Sequence, residues 1–179
     1  MNKKVIIFSA SPRKEGNSDI LCDQFLRGAQ EAGNQVEKIF LRDKQIHYCL
    51  GCGACGRNGG TCVQKDDMAE ILAKLVAADV IVLATPVYFY TMDAQLKTLI
   101  DRTVPQYTRI SNKDFYFIVT AADNRKQALE RTVDGIRGFT SCLDNPHEKG
   151  IIYGTGAWEK GEIKSSPAMR QAYEMGKTV

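Results

Sequence analysis

The sequence predicts a doubly wound α/β fold, in which helices cover both faces of a five-stranded parallel sheet. Two patterns support this prediction. Short apolar segments with strand character alternate with segments whose apolar residues recur at helical spacing. Residues 80–84 are apolar without interruption, which is typical of a strand covered on both faces. The chain is therefore expected to form three layers: helices, sheet and helices.

The predicted elements alternate along the whole chain. Strands are expected at residues 5–8, 36–41, 79–84, 115–120 and 150–153. Helices are expected at about 18–33, 67–76, 92–100, 125–143 and 166–177. The second of these helices begins with Asp67 and Glu70 in a capping-box pattern. A cysteine-rich loop occupies about 44–66, and the chain is expected to form one domain over 1–179.

Composition and charge narrow the class of protein. The chain has 179 residues, of which 44% are hydrophobic and 25% charged, with a formal net charge of +3. Basic residues are interleaved with acidic ones, so no nucleic-acid partner is expected. No stretch approaches the roughly 18 apolar residues of a membrane span, and the apolar run before Ser9 is shorter than a signal-peptide core. A cytoplasmic protein without membrane contact is expected.

Residues 9–18 follow the first strand and resemble a phosphate-binding turn in composition. A helix N-terminus offers unpaired N–H groups and partial positive charge to an anion, and Arg13 can add a planar fork of donors. The polar side chains available for further hydrogen bonds are Ser9, Ser11, Asn17 and Ser18. The alternative is an ordinary turn in which Asn17 or Ser18 caps a surface helix. We expect a phosphate site, because α/β sheets bind ligands where their strands end.

Several nucleotide and phosphate sites are excluded by what the sequence lacks. The Gly-x-Gly-x-x-Gly dinucleotide fingerprint does not follow the first strand, and the Gly-x-x-x-x-Gly-Lys-[Ser/Thr] loop is absent. None of the six cysteines has an arginine six positions later, as a cysteine-dependent phosphatase requires. A dehydrogenase that binds ribose through Asp43 remains an alternative, although it lacks its glycine fingerprint.

A second candidate site follows the third strand. Pro86 stiffens the exit from the strand, and Val87 leads into three successive aromatic residues, Tyr88, Phe89 and Tyr90. Next to a phosphate site, such a loop can carry a flat, amphipathic ring system. The alternatives are that these aromatic residues fill the core or contact a second subunit.

Four cysteines share one glycine-rich loop. Their spacing is C-x2-C-x2-C-x6-C, formed by Cys49, Cys52, Cys55 and Cys62. Clustered thiols in a cytosolic chain indicate metal or cluster ligands before disulfides. A zinc site, a thiol redox pair and a purely structural loop remain alternatives. Cys22 and Cys142 lie in predicted helices and are expected to be buried.

Together, three segments resemble those of the flavodoxin-like NAD(P)H-dependent FMN reductases, a family that includes the iron-sulfur flavoproteins. The segments are 9–18, 49–67 and 85–90, the last followed by Gln95-Leu96-Lys97 and Asp101-Arg102. The resemblance covers the N-terminal part of the chain well and the later helices in outline. It implies a flavodoxin-like sandwich with strand order 2-1-3-4-5.

The resemblance also implies a cofactor and its contacts. It implies that FMN phosphate and ribityl groups bind at Ser9, Ser11, Arg13, Asn17 and Ser18. The flavin ring would lie along Pro86, Val87, Tyr88 and Phe89, with a third contact from Ala121 in the loop 120–124. The cysteine spacing is similar to that which holds a [4Fe-4S] cluster in iron-sulfur flavoproteins, although similar loops occur in relatives that bind FMN alone.

Two classes of function follow from the resemblance. The first is an enzyme that passes a hydride from NAD(P)H to FMN and on to a quinone, flavin or similar small-molecule acceptor. Because the cofactor carries this chemistry, no catalytic side chain is expected, and Lys97 and Arg102 are expected on a solvated helix face. The second is an electron-transfer protein that links FMN, a [4Fe-4S] cluster and a redox protein partner. The charge of +3 favours the enzyme, and the family implies a homodimer or homotetramer.

Overall fold

The computed structural model describes residues 2–179 and is built around one sheet. Its strands are β1 Lys4–Ser9, β2 Gln35–Phe40, β3 Val80–Tyr88, β4 Thr91–Met92, β5 Asp114–Thr120 and β6 His147–Gly154. Its helices are α1 Asn17–Glu31, α2 Ala54–Arg57, α3 Met68–Ala77, α4 Ala94–Asp101, α5 Gln127–Thr140 and α6 Ala168–Lys177.

The topology of the sheet confirms the predicted fold. Five strands are parallel in the order β2-β1-β3-β5-β6, and the two-residue β4 pairs antiparallel with the end of β3. Without β4, this is the flavodoxin-like order 2-1-3-4-5. The first strand therefore lies between β2 and β3, and the loops after β1, β3 and β5 emerge side by side at the carboxyl edge.

Alternation along the strands divides the core into two halves. Ile6 and Phe8 of β1 belong to the half covered by α3, α4 and α5, whereas Val5 and Ile7 belong to the half covered by α1 and α6. Each buried Ile or Phe stabilises the fold by about 1.5–3 kcal/mol. The three predicted layers are thus confirmed: the sheet lies between two layers of packed helices, which hold its carboxyl edge in place.

Some elements differ from the prediction at their ends. β3 continues through Tyr88 because the short β4 folds back on it. The side chain of Asp67 does not cap α3; instead Asp66 Oδ1 accepts a hydrogen bond from Met68 N at 3.2 Å. Cys22 is buried as expected, but the prediction for Cys142 was wrong, since α5 ends at Thr140 and leaves this thiol exposed.

A helix that crosses a bilayer needs about 20 predominantly apolar residues. Within the described residues, no helix combines the length and the apolar character that crossing a membrane requires.

Candidate functional site

The turn between β1 and α1 is held in a tight conformation. Ser11 Oγ accepts a hydrogen bond from Arg13 N at 3.2 Å and donates one to Arg13 O at 3.1 Å. Gly16 precedes the first residue of α1, and a Cβ atom there would lie 2.3 Å from Ser11 Oγ. The turn can close this tightly because residue 16 has no side chain. Gly16, Asn17 and Ser18 thereby bring the start of α1 into the lining of a cavity.

Two side chains of this turn bind a distant loop. Asn17 Nδ2 donates to Ala157 O at 3.1 Å and to Glu159 O at 2.9 Å, and its Oδ1 accepts from Gly161 N at 3.0 Å. Arg13 Nη1 donates to Trp158 O at 3.1 Å. The loop after β6 is thereby fixed against the start of α1.

The hydroxyls of Ser9 and Ser18 have different surroundings. Ser9 is fully buried, and its Oγ donates to Asp19 Oδ1 at 2.9 Å. Ser18 is also buried, yet its Oγ has no hydrogen-bond partner among the described residues. Ser18 therefore has an unused hydrogen-bond donor in the first turn of α1. Burying a hydroxyl without a partner costs free energy of folding, which a ligand that accepts this hydrogen bond would recover. Such a donor fits an anionic oxygen at this helix N-terminus.

The aromatic segment after β3 forms a hairpin. Val87 pairs with Met92, and Tyr88 pairs with Thr91, so Phe89 and Tyr90 form a two-residue turn. Both have left-handed backbones, with φ of 49° and 64°, a conformation that costs free energy for residues with a Cβ atom. Phe89 is fully exposed at the tip. Backbone strain of this kind concentrates at functional sites, where it presents a side chain in a set position.

The turn and the hairpin face one cavity of about 390 Å³. Its walls come from the turn after β1, the hairpin, the end of β5 with its loop, and the loop after β6. The lining residues are Ser11, Arg13, Gly16, Asn17, Ser18, Pro86, Val87, Tyr88, Phe89, Thr120, Ala121, Ala122, Ala157 and Trp158. Nine of the ten cofactor-contact residues named from the sequence are therefore in this lining, and Ser9 lies beneath it.

A buried carboxyl group supports the base of the hairpin. Asp93 caps α4 by accepting a hydrogen bond from Leu96 N at 3.0 Å, and its own N–H donates to Thr85 Oγ1 at 3.0 Å. The second oxygen of the carboxyl group has no partner among the described residues. Burial raises the pKa of Asp93 to about 7, although the hydrogen bonds from Leu96 and Thr85 favour the charged form.

The cysteine loop is closed at both ends by one buried ion pair. Arg102, at the end of α4, donates to Asp66 Oδ2 at 2.6 Å and Oδ1 at 3.0 Å, and both side chains are 2% exposed. The same guanidinium donates to His47 O at 2.6 Å and contacts Cys62 Sγ at 3.7 Å. Burial opposes the charge on Asp66, but the hydrogen bonds from Arg102 and from two backbone N–H groups hold its pKa below the usual value. The expectation of a solvated Arg102 was wrong, whereas Lys97 is exposed as expected.

The four loop cysteines differ in exposure. Cys49 and Cys52 are exposed, and Cys55 and Cys62 are partly covered. Within residues 2–179, no three His, Cys, Asp or Glu side chains are grouped so that they could hold a metal ion. A cavity of about 550 Å³ lies between this loop and α3, and Cys62 and Arg102 are part of its lining.

Sequence reasoning missed Trp158 and placed Arg102 wrongly. Trp158 lines the cavity with 67% of its surface exposed, but it lies in a loop that carries no motif. Arg102 was assigned to solvent because its partner Asp66 is 36 residues away. A buried arginine needs a carboxylate partner. The only sign of such a partner in the sequence was the acidic pair Asp66-Asp67 at the end of the cysteine loop.

Comparison with known proteins identifies similar sequences. The sequence model of the family described as NADPH-dependent FMN reductase matches residues 3–135. An iron-sulfur flavoprotein from Archaeoglobus fulgidus is 41% identical over 113 residues, which are 63% of this chain and 51% of that protein. One from Methanocaldococcus jannaschii is 40% identical over 138 residues, covering 76% of this chain and 70% of that protein. The chain thus spans about half the length of the first relative.

Comparison of structures supports the fold. An NAD(P)H:quinone oxidoreductase from Methanothermobacter marburgensis superposes with a TM-score of 0.77 at 18% identity, over 99% of this chain and 96% of that one. The TM-score establishes a shared fold, whereas an identity this low leaves the activity to be argued from the site.

Proposed function

Because the chain belongs to the NADPH-dependent FMN reductase family, we propose that it is an FMN-dependent oxidoreductase. In this proposal NAD(P)H is the electron donor, and a quinone, a flavin or a similar small molecule is the acceptor. The observation that carries the proposal is the single cavity that joins a helix N-terminus with an unused hydroxyl donor to an aromatic hairpin. FMN has a phosphate at one end and a flat ring at the other, which matches these two ends of the cavity.

The phosphate end fits the residues of the turn after β1. Ser18 Oγ and the N–H groups at the start of α1 would donate to phosphate oxygens, and Arg13 would supply the positive charge. Arg13 is held by a backbone carbonyl, that of Trp158, and not by an acid, so its charge stays available to the ligand. Asn17 would contribute indirectly, because its polar atoms already hold the loop after β6.

The ring end fits the hairpin and the loop after β5. Pro86, Val87 and Tyr88 would lie along one edge of the ring, and the small side chain of Ala121 leaves room on the other. Backbone N–H groups close to the ring can stabilise negative charge on it without moving. Phe89 and Trp158 would cover the mouth of the cavity and limit the access of water.

Bound FMN supplies the hydride-accepting centre, so the chain itself needs to bind and orient, and to exclude water. Ser11 and Gly16 keep the turn closed, and Asp93 fixes the start of α4 under the hairpin. No side chain is required to form a covalent bond with the substrate. We therefore name no catalytic residue.

A second candidate function is favoured by the cysteine loop. Four thiols at C-x2-C-x2-C-x6-C spacing have the donor chemistry for a [4Fe-4S] cluster, and two similar proteins are called iron-sulfur flavoproteins. Cys49, Cys52, Cys55 and Cys62 would be its ligands. The described side chains are not grouped to hold a metal, so we assign the cluster no role in the reaction. The second candidate is therefore an electron-transfer protein whose partner is a redox protein, with these four cysteines as the residues that would hold the cluster.

Assembly of two or four copies is also proposed. Several large apolar side chains are exposed near the cavity and on the cysteine loop, including Phe89, Trp158, Tyr48 and Leu50. Such residues are typical of subunit interfaces. Sedimentation of the FMN-loaded protein would give the number of subunits.

One experiment tests the proposed function and separates the two candidates. The purified protein is reconstituted with FMN and mixed anaerobically with NADH or NADPH while its visible absorption is recorded. An enzyme of the proposed kind loses its flavin bands with at least one donor and regains them when a quinone is added. A broad additional absorption that dithionite bleaches would favour the electron-transfer protein. Failure to retain FMN would refute both.

A further inference from the structure

A buried carboxylate lies directly beneath the turn that we assign to the FMN phosphate. Asp19 is in the first turn of α1 and is 5% exposed. Its charge has the same sign as a phosphate, so it opposes anion binding by simple electrostatics. We infer that Asp19 is a positioning residue, which holds the turn 10–16 in the conformation that binds the phosphate of FMN. This inference rests on the proposed function.

The two oxygens of Asp19 join the two ends of the turn. Oδ1 accepts a hydrogen bond from Ser9 Oγ at 2.9 Å, and Ser9 is the last residue of β1. Oδ2 accepts one from Glu15 N at 3.1 Å, just before Gly16 and the start of α1. One carboxylate therefore fixes the distance between the strand end and the helix start. That distance sets the shape of the turn between them.

The bond to Glu15 N supports a strained residue. Glu15 has a φ of 55°, in the left-handed region that non-glycine residues rarely adopt. The side chain of Glu15 reaches outward to Lys160, 3.0 Å away, so only its backbone faces Asp19. In this conformation the chain turns into Gly16, which packs against Ser11. Without the acceptor at Asp19, Glu15 would relax toward negative φ and the turn would open.

A lysine compensates the charge of Asp19. Lys38 on β2 places its Nζ atom 2.9 Å from Asp19 Oδ1, and it also contacts Asp23. Because this ion pair is mostly buried, salt screens it little. Lys38 offsets the charge of Asp19, and the second carboxylate that it contacts, Asp23, is half exposed to solvent. The turn thus gains the hydrogen bonds of a carboxylate with less repulsion toward a phosphate.

The alternative role for Asp19 is to complement the dipole of α1. An acidic residue in the first turn stabilises a helix through its charge alone, wherever its oxygens point. Asp19→Glu separates the two roles, because it keeps the charge but displaces the oxygens from Ser9 and Glu15. Asp19→Asn keeps the size but offers only one carbonyl oxygen to these donors.

The test compares FMN with riboflavin, which lacks the phosphate. We expect both Asp19 variants to bind FMN at least about tenfold more weakly, while their affinity for riboflavin changes less than about threefold. The matched control is Asp114→Asn, which removes a lysine-paired carboxylate at the opposite edge of the sheet. An unchanged ratio of FMN to riboflavin affinity in Asp19→Glu and Asp19→Asn would overturn the inference. If the wild-type protein itself does not prefer FMN to riboflavin, the proposed function fails as well.

A rescue experiment tests the strained turn directly. Glycine adopts positive φ at no steric cost, so Glu15→Gly should recover part of the FMN affinity in the Asp19→Asn background. Glu15→Gln removes the same charge but keeps the Cβ atom, and it should recover less. Equal recovery in the two double variants would mean that charge, and not the shape of the turn, explains the loss, which would overturn the inference. Thermal unfolding monitored by circular dichroism verifies that each variant is folded.

Discussion

Replacing Arg102 by methionine should destabilise the protein strongly, although Arg102 lies outside the proposed cofactor site. Methionine fills much of the volume of the side chain but cannot donate a hydrogen bond. The change removes both bonds to Asp66 and the bond to His47 O. Asp66 then keeps only the N–H groups of His47 and Met68, and its charge remains buried.

The expected loss in free energy of unfolding is about 3–5 kcal/mol, the cost of leaving one partner of a buried ion pair alone. In urea, with a slope of about 2 kcal/mol/M, the unfolding midpoint should fall by roughly 1.5–2.5 M. Adding Asp66→Asn removes the orphaned charge, so the double variant should be more stable than the sum of the two single changes predicts, by at least about 1 kcal/mol.

The assay is equilibrium unfolding in urea, followed by circular dichroism, with Lys97→Met as the matched control. Lys97 is on the same helix and pairs with Asp101 on the surface, so its loss should cost less than about 1 kcal/mol. Trypsin should also cut the Arg102→Met variant faster at Arg57 and Lys65, because the loop is no longer closed. If Arg102→Met costs no more than Lys97→Met, our account of the ion pair is refuted.

Three further predictions concern the cavity and the start of α4 beside it. Burial raises the pKa of Asp93 from 3.8 to about 7, so the stability that the protonated carboxyl contributes is complete below about pH 4 and is lost as the pH rises to 7. In urea unfolding, Asp93→Asn should therefore gain about 2–4 kcal/mol relative to wild type between pH 4 and pH 8. A difference that stays constant with pH would contradict the raised pKa. Gly16→Ala should weaken FMN binding about tenfold in a flavin fluorescence titration, since the new Cβ atom would lie 2.3 Å from Ser11 Oγ, and unchanged affinity would contradict the tight turn. Trp158→Ala should weaken FMN binding about threefold to tenfold, because an aromatic contact is lost. The free energy of unfolding should change by less than about 0.5 kcal/mol, because the indole is exposed. An unchanged affinity for FMN would show that Trp158 is not part of the site.

Short sequence patterns predicted those features that are determined by residues close together in the chain. The uninterrupted apolar run of β3 identified a strand covered on both faces. The hydroxyl side chains around Arg13 identified the turn that follows β1. The hairpin was not predicted, because a two-residue turn of this kind usually contains Gly or Asn. Here Phe89 and Tyr90 adopt the left-handed conformation in their place.

The missed features depend on partners far away in the chain. Asn17 was named as a cofactor contact, and it does line the cavity, but its polar atoms are bound to a loop about 140 residues later. Arg102 is buried because of Asp66, and Ser9 because of Asp19. No periodicity reveals such pairs, since each residue alone is compatible with a solvated position.

The affinity for FMN relative to riboflavin tests the central claim most directly. Isothermal titration of the wild-type apoprotein should give tight binding of FMN and much weaker binding of riboflavin, because only FMN has the phosphate. In the double variant Ser11→Ala, Arg13→Ala, the affinity for FMN should fall to near that for riboflavin. Equal losses for the two ligands, or wild-type binding that ignores the phosphate, would contradict a phosphate site at the end of β1.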